Sequence, residues 1–285
     1  MSVKELRQGL RARGFVVPFV LVHIACIIAL VGDYVTSGLG SGGSQQGIMG
    51  DPGQAVWFLS SIAMLAVMPL AALGGLTSEM DGRNFELLLL AGLSRWRIAL
   101  GKWLTHIALS MLLLVSVVPY LLLLYFFGGV DLGKTLLMVV GLAGGNAAAL
   151  GLALGVSGYQ HFFGKAALLV VAGGSFMIVM GTATGVMFEA GTQSLWKGIF
   201  AICSILFVSG LYAVLGMQLI RARLRAYENP IDPPPTGLIA GILVTLPMIL
   251  GILTVSLPIW GTLVGGGFFL VLSVLIDPEK VRAGG

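Results

Sequence analysis

Trp103-Leu-Thr-His-Ile-Ala-Leu-Ser-Met-Leu-Leu-Leu-Val-Ser-Val-Val-Pro-Tyr-Leu-Leu-Leu-Leu-Tyr-Phe-Phe127 runs for 25 residues without a single charged side chain. A helix rising 1.5 Å per residue needs about 20 mostly apolar residues to cross the hydrocarbon layer of a bilayer. Working outward from this segment, seven more windows have the same character: Phe15–Val35, Gln54–Leu76, Thr135–Ser157, Ala166–Phe188, Leu195–Ile220, Gly237–Ser256 and Pro258–Ile276. Their apolar runs are continuous rather than alternating, which predicts helices and not a transmembrane β-barrel. The fold class is therefore all-α, a polytopic membrane helical bundle.

Composition agrees. Of 285 residues, 57% are apolar and only 10% charged, with a mean hydropathy of +1.00. Soluble domains carry about 25% charged residues, so a water-facing surface cannot be assembled from this chain. Cys26 and Cys203 both lie in apolar runs, which gives neither metal-ligand spacing nor a disulfide framework.

The basic residues set an expected orientation. With the amino terminus inside, fourteen of the sixteen Lys and Arg residues fall on the cytoplasmic side, leaving only Lys134 and Lys197 outside. Every inner loop then obeys the positive-inside rule, and both termini are expected in the cytoplasm. Val3, Leu6 and Leu10 are spaced helically among basic residues, so residues 1–14 read as an amphipathic interfacial helix. The long basic start and the absence of a small-residue cleavage site read against a cleaved signal peptide. Arg221 to Thr236 carries three arginines followed by Pro230, Pro233, Pro234 and Pro235, a stiff linker over 226–236. It divides a six-span core (15–225) from a two-span hairpin and short tail (237–285).

Several motifs invite a chemistry that their context withholds. Gly128 to Thr135 matches the phosphate-binding loop pattern, but it joins two spans on the expected outer face, with no segment long enough to form a nucleotide-binding domain. Gly155-Val156-Ser157-Gly158 has the look of an intramembrane protease serine motif, yet the only later histidine is His161, in the same short loop. His23, His106 and His161 show no metal spacing; His23 and His106 read as packing or interface residues. Acidic residues lie in loops or at span ends, Asp33 being the deepest, which weakens an ion-coupled carrier. Asn146, the one amide at mid-span, is expected to hydrogen-bond across helices. Gly141/Gly145, Gly151/Gly155, Gly181/Gly185, Gly237/Gly241 and Gly261/Gly265 form small-xxx-small pairs that permit close helix approach.

The remaining signal lies in the inner loop 77–102. Phe85 and Leu87 to Leu90 are too few to span and too apolar for an open loop, so they read as a short helix at the interface or in a protein groove. Glu79, Asp81 and Glu86 sit on its amino-terminal side, where helix N–H groups favour negative charge. Ser94 is placed to cap the next helix, with Arg95, Arg97 and Lys102 available to phosphates or partner carboxylates.

This loop resembles the cytoplasmic coupling region of ABC transporter permeases of the type-2 exporter class. Those permeases have a glutamate, Gly-Thr, a second glutamate, a leucine run, a proline, an apolar residue, Ser-Arg, and then Gly-Lys opening the third span. Glu79, Glu86, Leu87, Leu88, Leu89, Ser94, Arg95, Gly101 and Lys102 fit those places, while Arg83-Asn84 replaces Gly-Thr and Gly92 replaces the proline. Val118-Pro119-Tyr120, Gly128-Gly129 and the leader Lys4-Glu5-Leu6-Arg7 are also similar to the family's pattern. The likeness covers roughly residues 1 to 225.

The resemblance implies a six-span permease core, here with two extra C-terminal spans, without enzymatic activity or a cofactor of its own. ATP and Mg would be bound by a separate nucleotide-binding subunit docking on Glu79, Phe85, Glu86, Leu87, Leu88, Leu89, Ser94, Arg95 and Lys102. A second permease chain, identical or a sister, would complete the pathway in a bacterial-type inner membrane, with lipid and no nucleic acid as further partner. A non-ABC polytopic protein, such as a secondary carrier or a membrane assembly factor, is the competing class. The substrate leaves no mark in the sequence.

Overall fold

A computed structural model describes residues 7, 9–39, 53–75, 94–126, 132–159, 162–191, 195–228, 236–256, 264–265, 267–269 and 271–272. Seven helices account for most of them: α1 (Arg13–Leu39), α2 (Gln54–Ala72), α3 (Arg95–Phe126), α4 (Leu132–Ser157), α5 (Phe162–Gly191), α6 (Leu195–Glu228) and α7 (Thr236–Ser256). No strand occurs among the described residues.

Five segments there are long and apolar enough to cross a membrane: Gly14–Val35, Gln54–Ala72, Arg95–Phe126, Thr135–Ser157 and Ile202–Leu224. Phe163–Val179 and Ile239–Leu250 are shorter apolar stretches within α5 and α7. α1 shows why the surrounding medium is lipid. Phe15, Val22, Cys26, Ala29 and Asp33 form its buried stripe, while Val17, Leu21, Ile24, Ile28 and Val31 form an exposed one. Water would not tolerate a second apolar face of this length. The described residues are helical throughout their regular structure, and the chain is a multi-pass membrane protein.

The described helices fall into two compact units, residues 1–71 with 105–146 and residues 72–104 with 147–285. In the first, Phe15, Val22, Cys26, Val56, Met64, Met68, Leu113, Val117 and Leu121 share one apolar core. The leader residues Gly9 to Arg11 form a helical turn that bends at Ala12 into α1. Gly9 packs against Leu109 so closely that an added Cβ would lie 2.7 Å from Leu109 Cδ1. At the other end of α1, the buried Asp33 carboxylate accepts the Gly53 N–H at 3.0 Å. Gly53 stands at the start of α2 with φ of 86°, a left-handed conformation that a Cβ would strain. α2 itself is interrupted at Ala63–Val67 by a π-turn, closed by the Met68 N–H on the Ala63 carbonyl.

Two polar side chains in this unit are held by neighbours. His23 Nδ1 lies 2.7 Å from the Phe19 carbonyl, and its ring is tilted against Phe19 and edge-on to Tyr120. The fully buried Asn146 donates from Nδ2 to Ser110 Oγ at 2.5 Å, and the Ser110 hydroxyl donates in turn to the Ile107 carbonyl at 2.9 Å. That relay fixes the amide's orientation and leaves Asn146 Oδ1 buried with no hydrogen-bond partner among the described residues.

In the second unit α5 packs against both α6 and α7. Its core gathers Ala148, Leu152, Phe176, Val208, Leu211, Tyr212, Leu215, Leu243 and Leu250. Tyr212 is fully buried; its hydroxyl sits 2.6 Å from Ser175 Oγ and its ring meets Phe176 edge-on. Small residues bring α4 and α6 to backbone contact. A Cβ on Gly155 would lie 2.7 Å from the Gly216 carbonyl oxygen, and one on Gly216 would run into the Gly151 carbonyl group. Of the sequence's glycine pairs, Gly151/Gly155 thus has the close contact expected of it. Gly241 has open space where its Cβ would be.

Ser94 precedes the next helix as read in the sequence: α3 begins at Arg95, ahead of the apolar span opening at Trp103, and buries Ile98 and Ala99. One helix boundary differs from the sequence reading. α6 continues past Ile220 to Glu228, so the arginines placed in the linker are helical. Most of the eighth window, Pro258–Ile276, lies outside the described residues, as do the linker prolines and residues 1–6 and 8 of the amphipathic leader.

Candidate functional site

Aromatic and basic side chains meet at one end of the second unit. The site is assembled from the start of α3, the α4–α5 turn, the start of α5 and the end of α6. Ser94 precedes α3, and the Arg97 N–H reaches its Oγ at 3.4 Å. A hydroxyl at this position satisfies an N–H that the first helical turn leaves open. Trp96, 37% exposed, lies one residue into the helix, and the Arg221 guanidinium stacks over its ring at 5.3 Å. Arg221 Nη1 also donates to Gln218 Oε1, one turn back on α6, at 3.1 Å.

Arg223, two residues on, turns to the α4–α5 connection. Its Nε donates to the Gly158 carbonyl at 2.7 Å, and its guanidinium lies 4.9 Å from the Tyr159 ring centroid. Gly158 follows directly on the end of α4, where helix carbonyls lack intrahelical donors and the dipole favours a cation. Lys165, in the first turn of α5, donates to the Leu73 carbonyl at 3.0 Å, just beyond α2. Further along α3, Trp103 Nε1 donates to the Ala147 carbonyl at 2.8 Å. The contacts Arg221–Trp96, Arg223–Gly158 and Lys165–Leu73 each tie a helix end to a different segment. Stacked cation–aromatic contacts of this kind contribute about 0.5–2 kcal/mol each, depending on how much water they lose.

Of the residues singled out in the coupling loop, Ser94, Arg95 and Lys102 are described. Ser94 is exposed at the helix start, while Arg95 and Lys102 are half-buried and engaged in contacts within α3's surroundings. Glu79, Phe85, Glu86, Leu87, Leu88 and Leu89 lie outside the described residues. Sequence reasoning missed Arg221, Arg223 and Tyr159 as parts of one arrangement. The available signal was an Arg-x-Arg pair directly after an apolar span, with Trp and Tyr at neighbouring span ends, where such rings concentrate at the membrane interface.

The motifs set aside earlier acquire no chemistry. Ser157 is fully buried and its hydroxyl donates to the Leu154 carbonyl at 2.7 Å. His161 and Gly128 to Asp131 lie outside the described residues. Among the described residues no group of three or more His, Cys, Asp and Glu is placed to hold a metal. No family model matches this chain, and no curated protein or solved structure matches it either.

Proposed function

We propose that this chain is the membrane-spanning permease subunit of an ATP-driven exporter of the type-2 ABC class. In this reading residues 15–225 form a six-span core, and residues 237–285 add two spans. Both termini face the cytoplasm of a bacterial-type inner membrane. A separate nucleotide-binding subunit carries ATP and Mg and seats on the loop 77–102, and a second permease chain completes the pathway.

The observation that carries the reading is the run from Glu79 to Lys102, with its acidic, leucine-rich, Ser-Arg and Gly-Lys elements in the family's order. The clasp of Trp96 by Arg221 adds mechanical sense to it. A load applied at the loop enters α3 at its first turn and passes directly to α6 through a stacked contact. A loose tether would absorb that displacement instead.

The test is purification of the tagged chain from its native membranes, with ATP hydrolysis as readout. An ATP-binding subunit is expected to accompany it, and Glu86→Lys or Leu88→Asp to abolish partner-stimulated hydrolysis while helical content stays unchanged. Hydrolysis unaffected by both substitutions overturns the docking role. A flux driven by a proton or sodium gradient and indifferent to ATP depletion would establish the secondary-carrier class.

A further inference from the structure

α5 and α7 leave between them an open apolar groove of about 550 Å³, lined by Gly164, Ala167, Leu168 and Val171 on one side and Ala240, Gly241, Val244 and Thr245 on the other. The spacing on each helix keeps one face, so the two stripes form an elongated trough; from Gly164 to Val171 it extends about 10 Å along α5. The volume falls within the range of about 300–1,000 Å³ typical of small-molecule sites. Its floor is smooth. Added Cβ atoms at Gly164 and Gly241 would meet nothing within 4 Å. The Thr245 hydroxyl in the wall bonds back to the Gly241 and Ile242 carbonyls of its own helix. Val244 is exposed, and Met248 and Ile252 continue the exposed apolar stripe along α7, so the trough opens onto lipid rather than inward.

Its mouth has the opposite character. Tyr159 lines the groove and carries the Arg223 guanidinium on its ring. α4 ends at Ser157, and the apolar run of α6 gives way to charge at Arg221 and Arg223, which puts Gly158, Tyr159 and Arg223 at the level where hydrocarbon gives way to headgroups. Among the described residues the partners of Arg223 are a carbonyl and an aromatic ring, both neutral, and only its Nε is used. The terminal nitrogens of a guanidinium are a bidentate match for a phosphate. A trough shaped for an alkyl chain therefore ends, at headgroup depth, at a cation whose described partners are neutral.

We infer that this groove is a binding site for one anionic phospholipid, its acyl chain lying between α5 and α7 and its phosphate on Arg223. The inference does not depend on the exporter reading and holds equally for any function of the chain.

The experiment uses the full chain in phosphatidylcholine vesicles containing a small fraction of phosphatidylglycerol with a photoactivatable diazirine at mid-chain. A matched set carries the same label on phosphatidylcholine. Labelled peptides are expected to map to residues 164–171 and 240–245, several-fold more with phosphatidylglycerol than with phosphatidylcholine. Arg223→Gln should bring the two lipids to parity while labelling of the groove persists. Gly241→Leu should suppress labelling of the groove by both lipids; Gly164→Leu provides the same test from the facing helix if the first variant lowers the yield of folded protein. Equal labelling by both lipids in the unaltered chain overturns the inference, as does labelling spread evenly over the lipid-facing side of α1. A groove shielded only by a second copy of the chain, with no lipid label, overturns it as well.

Discussion

Gly216 on α6 lies against the backbone of Gly151 on α4 with no room for a methyl group between them. The obstacle is main chain, which cannot rotate away as a side chain would. Gly216→Ala should therefore lower the thermal unfolding midpoint in detergent by an amount corresponding to about 1–3 kcal/mol, the usual cost of overpacking, or more. Gly241→Ala, where the added methyl enters open space, should leave the midpoint unchanged or raise it slightly through helix propensity.

The Asn146–Ser110 pair gives a second test, because removing one partner differs from removing both. Ser110→Ala leaves a buried amide N–H without an acceptor, at a cost of about 1–3 kcal/mol. Asn146→Leu in the same background should recover most of that loss, since Asn146 also buries an unpartnered Oδ1. A double-mutant cycle on unfolding free energy should then give a coupling of about 1–2 kcal/mol, toward the upper end found for interhelical hydrogen bonds in membranes.

Arg223→Lys should behave almost as badly as Arg223→Ala. A lysine keeps the charge but cannot place a planar Nε–H on the Gly158 carbonyl while lying flat on Tyr159. Both variants should make the α4–α5 turn more susceptible to limited proteolysis in vesicles, with a stability loss of about 1–2 kcal/mol.

At the other unit's loop, Gly53→Ala and Asp33→Ala should each weaken the start of α2. The first forces a Cβ into a left-handed backbone, at about 1 kcal/mol. The second removes the acceptor of the Gly53 N–H, at about 1–3 kcal/mol if that donor stays buried. Hydrogen exchange at residues 53–57 is expected to accelerate in both, and the double variant should add little because both act on one turn.

The positions of the helices were legible because lipid imposes a simple rule: long runs without charge become spans. α1, α2, α3, α4 and α6 follow that rule closely. It does not fix where a helix stops once it has left the hydrocarbon. Arg221 to Glu228 reads as linker by charge, yet it is helical, because arginine is a good helix former, whereas the helical start at Arg95 was marked by the capping Ser94. The Asn146 bond was foreseeable, since a lone mid-span amide needs a partner, but Ser110 was not, because register between helices is not written in either one. The pairing of Arg221 with Trp96 was invisible for the same reason: the two lie 125 positions apart in the sequence. Glycine spacing marked Gly151/Gly155 and Gly237/Gly241 alike, and only the neighbouring helix separates the tight contact from the open trough.

On α2, the buried positions Val56, Ser60, Met64 and Met68 recur at intervals of four. In a regular α-helix each such step slips by about 40°, so three steps would carry the last residue well around the axis. The broader loop of backbone at Ala63–Val67 takes up one surplus residue and returns part of that slip. Shortening this stretch by a single residue would straighten the hydrogen-bond ladder and at the same time swing Met68 away from its neighbours. The irregular turn is what keeps the seam in phase.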